Sequence, residues 1–244
     1  MIAQIRAELL KIRSTRTTIA LILAMIALIL LITLLTGLLT HPRGLASRED
    51  QRELLSTTSF AGVFSALAGV LLVTSEYRFS TIRPTILYNP ARSHVLAAKA
   101  VAGACAGVVF GVFSEAIGSA VGYATLDGRG ITIVLSSGDI LLLTLGGIAG
   151  TALWGAIGAG LGAIIHNQVG AVITLLAWGL AVDNLLFGLA PSVGRFMPTR
   201  GSDALMGLRV HHLVSPGVGA ITLIAWAGVL GVVGIALSVR QDIN

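Results

Sequence analysis

The chain has 244 residues, of which 55% are hydrophobic and 11% charged, and its mean hydropathy is +0.91. A soluble domain carries about a quarter charged residues, so this composition excludes an ordinary soluble globule and points to an all-α membrane protein. The net charge of +5 and pI near 10.1 do not indicate nucleic acid. The basic residues stand at the ends of apolar runs, where anionic lipid headgroups are the natural counterions. The single cysteine, Cys105, lies inside an apolar run and cannot form an intrachain disulfide.

Residues 1–17 read as an amphipathic interfacial helix. Ile2, Ile5, Leu9 and Ile12 recur on one face, while Arg6, Glu8, Lys11 and Arg13 occupy the others. Thr18–Leu39 follows without a charge and is long enough to cross a bilayer. Gly44-Leu45-Ala46 slightly resembles a signal-peptide cleavage site, but the apolar run is too long for a signal core and is read as a retained anchor. The same length rule places six spans in a single domain, 18–244, at about 18–39, 57–74, 95–123, 139–165, 169–190 and 216–239. The basic residues before the first span favour a cytoplasmic N-terminus, and six spans then bring the C-terminus to the same side. Nine Lys and Arg residues fall inside and seven outside, a weak bias in the same direction.

The connections differ in character. Glu76–Arg92, EYRFSTIRPTILYNPAR, is polar and basic between two apolar runs. Pro84 can open a short helix and Asn89-Pro90 ends it, leaving roughly one to two turns along the membrane face. Such a segment either fixes topology or is a handle for a soluble partner. His166-Asn167-Gln168 is a tight turn that makes spans four and five a hairpin. Residues 191–215 form the longest loop, semi-apolar, which either dips into the membrane, caps the protein or is an ordinary loop. Gly103, Gly107, Gly111, Gly118 and Gly122, with Gly158 and Gly162, allow close helix approach, within the chain or to a second copy. Lys99, near the start of span three, is expected to snorkel to the surface.

Two acids lie within spans, Glu115 and Asp183. They are candidates for the translocation path, as a contact for a cationic substrate or a polar gate, and the other reading is a hydrogen-bonded carboxyl near the interface. No GxxxxGK[ST], HExxH or GxSxG motif is present, and His211-His212 lacks a third ligand at metal spacing. No catalytic residue, metal site or cofactor is therefore expected in this chain.

Three stretches carry a resemblance to the permease subunits of ABC-2 type ATP-binding-cassette exporters, particularly the short six-span actinobacterial kind. They are the opening AELLKIRSTR, the stretch EYRFSTIRPTIL after span two, and LAPSVGRFMPTRGSDALMG before span six. The second is the most specific, with Pro84 an acceptable variant. The resemblance implies a bacterial plasma-membrane protein with cytoplasmic termini that works as a homodimer or with a paired permease. It also implies that the chain borrows a separate P-loop ATPase, which would bind ATP and Mg. The loop after span two would be a coupling helix docking into that ATPase, with Glu76, Tyr77, Arg78, Thr81 and Arg83 as coupling residues, Glu76 and Arg83 through charged contacts, and Arg78 alternatively on inner-leaflet headgroups. The exported substrate would be an amphipathic drug, lipid or peptide. Two other classes remain: an ion-coupled secondary carrier using Glu115 and Asp183, and a non-transporting anchor for a soluble partner.

Overall fold

A computed structural model describes residues 2–81 and 91–240. Among these there is no strand. Helix α1 is Ile2–Ser14 and α2 is Arg16–Leu39; a short 3₁₀ turn, Pro42–Leu45, leads to α3, Arg48–Leu55. A second 3₁₀ turn, Ser56–Phe60, passes into α4, Ala61–Arg78. Then come α5 (Arg92–Gly128), α6 (Ser137–Ile164) and α7 (Gln168–Ala177), a π-helical turn at Trp178–Val182, and α8 (Asp183–Leu189). The chain ends with α9 (Pro191–Gly194), α10 (Pro198–Leu205) and α11 (Pro216–Arg240).

Six helical rods are long and apolar enough to cross a membrane: Arg16–Leu39, Arg48–Arg78, Arg92–Gly128, Ser137–Ile164, Gln168–Leu189 and Pro216–Ser238. The second begins earlier than its apolar run. Ser47 accepts a hydrogen bond from the Asp50 amide, and Glu49 and Asp50 favour the positive end of α3, so the charged segment is already helical. The π turn widens the fifth rod just before Asp183. The expected short helix opened by Pro84, and Arg83 with it, lie outside the described residues.

Helix α6 is the centre of the bundle, packed against α4, α5 and α11. Glycine makes this possible. A Cβ at Gly69 would collide with the Gly155 carbonyl, one at Gly158 with the Ala66 carbonyl, and one at Gly107 with the Thr151 carbonyl. The close helix approach that the glycine spacing allows is thus used within the chain. Ser65 adds a buried hydrogen bond to the Thr151 carbonyl at 2.8 Å. Val70, Trp154, Ile157, Leu175 and Leu223 fill the centre, and Met25, Ile29, Ala61 and Phe110 a second cluster. Helices α2, α7–α8 and α11 form the periphery and leave aliphatic side chains such as Leu23, Leu35, Ile173, Leu185 and Val232 exposed, as a bundle surrounded by hydrocarbon does. The long 191–215 segment is not an open loop. Its helix α10 packs against α11 and α6, burying Pro198, Gly201, Ser202 and Ala204. Trp154 donates to Ser202 at 2.8 Å and Trp226 donates to the Phe196 carbonyl at 2.9 Å, pinning the segment from two rods.

Candidate functional site: a ring of buried charges

The end of α4 is set by its backbone. The Thr81 amide donates to the Glu76 carbonyl at 2.9 Å and the Ser80 amide to the Tyr77 carbonyl at 3.2 Å. Together these bonds form a Schellman closure, with Ser80 in the left-handed region at φ 56°. Two residues apart on α4, Glu76 faces the bundle while Arg78 faces outward, and Phe79 and Thr81 in the closure are exposed as well.

There Glu76 joins Glu8 of α1, Lys11 of α1 and Lys99 of α5. The Lys99 ammonium lies 2.9 Å from Glu8 Oε2, 2.8 Å from Glu76 Oε1 and 3.3 Å from the Leu72 carbonyl, so its three donors face three acceptors. Lys11 closes the ring, bonding Glu76 Oε1 and lying 3.3 Å from Glu8 Oε1. Gln4 donates to the same Glu8 oxygen at 3.4 Å. Lys99 and Glu8 are 0% exposed and Glu76 is 4% exposed. Two acids and two bases alternate, so the ring is neutral; three members are buried and the Lys11 side chain, 48% exposed, stands at the rim. Lys99 therefore does not snorkel outward: its stem turns inward because two carboxylates await it there. Burial pulls the Lys11 ammonium down, but the Glu76 hydrogen bond and the Glu8 and Glu76 charges outweigh it, so its pKa stands above the ordinary lysine value.

The neighbouring residues divide by environment. Tyr77 stacks on His166 with ring centroids 4.1 Å apart, and burial lowers the His166 pKa against an opposing hydrogen bond at Ala163. Arg78 is exposed, over the Phe79 ring, and donates to Gln168 at 3.3 Å. Arg92 donates to the Ser238 carbonyl at 2.7 Å.

The two intramembrane acids are not brought together. Glu115 lies against Gly147 of α6, with Thr58 as its hydrogen-bonding neighbour and its Oε1 without a hydrogen-bond partner among the described residues. Asp183 Oδ2 accepts from the Thr199 amide at 2.9 Å and so caps the first turn of α10 from across the bundle. This contact gives Asp183 a structural task, while its Oδ1, like Glu115 Oε1, is buried without a hydrogen-bond partner among the described residues.

At the opposite end of the bundle stands a second ionic cluster. Asp139 caps α6 through a capping box with Ser136 and receives Arg48 through bonds of 2.5 and 2.6 Å. It also binds Arg52, which donates in turn to the Gly207 carbonyl. Gln51 braces the 132–134 segment, donating to the Thr132 carbonyl at 2.9 Å and accepting from the Val134 amide at 3.0 Å. Neither Glu8 nor Asp139 stood out as a candidate in the sequence. Asp139 had a readable signal, the Ser-x-x-Asp spacing of a capping box, whereas Glu8 looked like any solvated charge on an amphipathic helix. No protein-family model matches the chain, and no curated protein matches it.

Proposed function

We propose that this chain is the membrane subunit of an ATP-driven exporter of the ABC-2 type. It would sit in a bacterial plasma membrane with both termini cytoplasmic, dimerise or pair with a related permease, and couple to a separate P-loop ATPase to move an amphipathic or hydrophobic substrate. The observation that carries this reading is the charge ring at the foot of α4. The basic loop that would receive a soluble partner begins directly after Thr81. Glu76, one turn earlier, is tied to α1 through Lys11 and to α5 through Lys99, and Lys99 reaches α1 again through Glu8. A displacement applied to the loop cannot be absorbed at the end of α4 alone. It moves α1, α4 and α5 together, and through the glycine contacts it reaches α6. In this reading Glu76 is an internal strut, while Phe79, Thr81 and the loop beyond them, Arg83 included, make the external contact. The test is purification of the tagged chain from native membranes in mild detergent. An equimolar P-loop ATPase is expected, and it is expected to be lost on Phe79→Asp. Recovery of the chain alone, in a detergent that preserves other permease–ATPase complexes, overturns the proposal.

One observation favours a second reading. The unpartnered Oε1 of Glu115 beside Gly147 is what a proton- or cation-coupled carrier would place in its path. Coupled uptake into liposomes by the chain alone, abolished by Glu115→Gln, would replace the exporter with the carrier.

A further inference from the structure

We infer that the cleft between α1, the start of α2 and the end of α4 is a binding site for one anionic phospholipid whose headgroup ends in hydrogen-bond donors, the chemistry of phosphatidylglycerol. This inference rests on membrane embedding alone and not on ATP coupling. The cleft is a cavity of about 630 Å³, and its lining is graded. At one end are the Lys11 ammonium and the Arg78 guanidinium, with the hydroxyls of Thr17, Thr18 and Ser75. Farther along the rods the wall is Leu21, Ala68, Leu71 and Leu72. Cations and hydroxyls at the membrane face, followed by an aliphatic wall, fit a headgroup and an acyl chain in one molecule.

Charge counting selects an anion. The four charges of Glu8, Glu76, Lys11 and Lys99 cancel within their ring. Arg78 is left over: among the described residues its partners are the neutral Gln168 and the Phe79 ring, with no carboxylate. The start of α2 adds to the positive field. Thr15 occupies its cap position without making a side-chain cap bond, because its hydroxyl donates back to the Lys11 carbonyl at 2.5 Å. A phosphodiester placed there meets the uncompensated Arg78 guanidinium and a positive helix end, with the Lys11 ammonium already shared with the ring beside it. A separate feature favours a headgroup that carries a donor. Glu76 lines the same cavity, is 4% exposed, and its Oε2 has no hydrogen-bond partner. Its Oε1 is committed to both lysines. A hydroxyl donor just beyond the phosphate would satisfy that oxygen, whereas a trimethylammonium headgroup has no donor to offer.

The test uses the full chain, purified in detergent and stripped of lipid, with binding read by native mass spectrometry. One phosphatidylglycerol per chain is expected, with phosphatidylcholine held about tenfold or more weakly. Arg78→Gln should weaken phosphatidylglycerol binding by about tenfold, and Ser75→Phe, which fills the headgroup end, should abolish it. Should Ser75→Phe fail to fold, Arg78→Gln, a change to an exposed side chain, still decides. Equal retention of the two lipids, or unchanged binding in Arg78→Gln, overturns the inference. Displacement of phosphatidylglycerol by inorganic phosphate also overturns it, in favour of a free-anion site.

Discussion

The two ends of the bundle solve the same problem with different chemistry. At the α1 end, Lys99 and Lys11 alternate with Glu8 and Glu76 in a ring that joins α1 to two rods. At the α3 end, two arginines converge on Asp139, which is already fixed by its capping box. The lysine ring depends on every member, because each ammonium is a point charge shared between two carboxylates. The arginine clasp is redundant. Asp139 keeps its Ser136 bonds if either arginine leaves. A ring that needs all its members transmits displacement, whereas a clasp with a backbone-anchored centre holds segments in place. Under the proposed function, the first suits a moving end and the second a fixed one.

The strongest way to break this comparison is Lys99→Met. It leaves Glu8 and Glu76 facing each other in a buried space, with Lys11 alone to serve both. Removing one partner of a buried ion pair costs about 3–5 kcal/mol, and thermal unfolding in detergent should show a loss of that order. Adding Glu8→Gln to Lys99→Met should recover part of the loss, since the remaining acid then pairs with Lys11. A recovery of zero would mean that the ring is not one coupled unit. Asp139→Ala is the matching change at the other end. It removes a helix cap and two charge-assisted partners, one of them half-exposed, and should cost about 2–3 kcal/mol. A larger loss for Asp139→Ala than for Lys99→Met would reverse the assignment of the moving and fixed ends.

Much of the fold was legible because a span needs only a continuous apolar run, and these runs stand out in this chain. The boundaries were less so. Arg48–Leu55 is rich in charge yet continues the second rod, since Ser47 and the acidic first turn make it a helix before hydrophobicity does. The site was legible only in its address. The stretch from Glu76 pointed to the foot of α4, but Glu76 sits inward and not on the surface, because it is still part of α4 and the phase of that helix turns it to the bundle. Lys99 read as a snorkelling lysine because its partners lie on other helices, Glu8 being 91 positions away in the chain. Pairings at that distance leave no local pattern. The tie from the fifth span's acid to α10 left no local sign, because that helix begins 15 positions later, inside what read as a loop.

A third change sharpens the picture of the α3 end by its pH dependence. Burial pushes the Asp203 carboxyl up to about 6 from 3.8, against the pull of the Arg200 charge and hydrogen bond. Between those values the folded chain holds a proton that the unfolded chain has lost, so this group's contribution to stability falls as pH rises from about 4 to 6. Asp203→Asn should flatten that decline. It also loses a 2.8 Å ion pair with Arg200, so the net difference should be on the order of 1–2 kcal/mol. Unfolding midpoints at pH 4 and pH 7 for both proteins measure it. An unchanged slope would mean that the segment 198–205 is more open to water than its packing implies.

The smallest change tests the α1 end where it meets the loop. Ser80 holds φ 56° to close α4, a conformation that costs a non-glycine residue roughly 1 kcal/mol and a glycine little. Ser80→Gly should therefore raise stability by up to about 1 kcal/mol, less the extra backbone entropy that glycine brings to the unfolded chain. Its value lies in what it does to activity. If the foot of α4 is a strut, the closure at Ser80 is its rigid joint, and glycine loosens that joint while leaving the charge ring intact. Under the proposed function, a chain that is as stable or more stable, yet hydrolyses ATP with an ATPase partner and transports less, would place the transmission at this turn. Equal transport by Ser80→Gly would leave the ring itself as the sole rigid element and assign the turn a purely structural role.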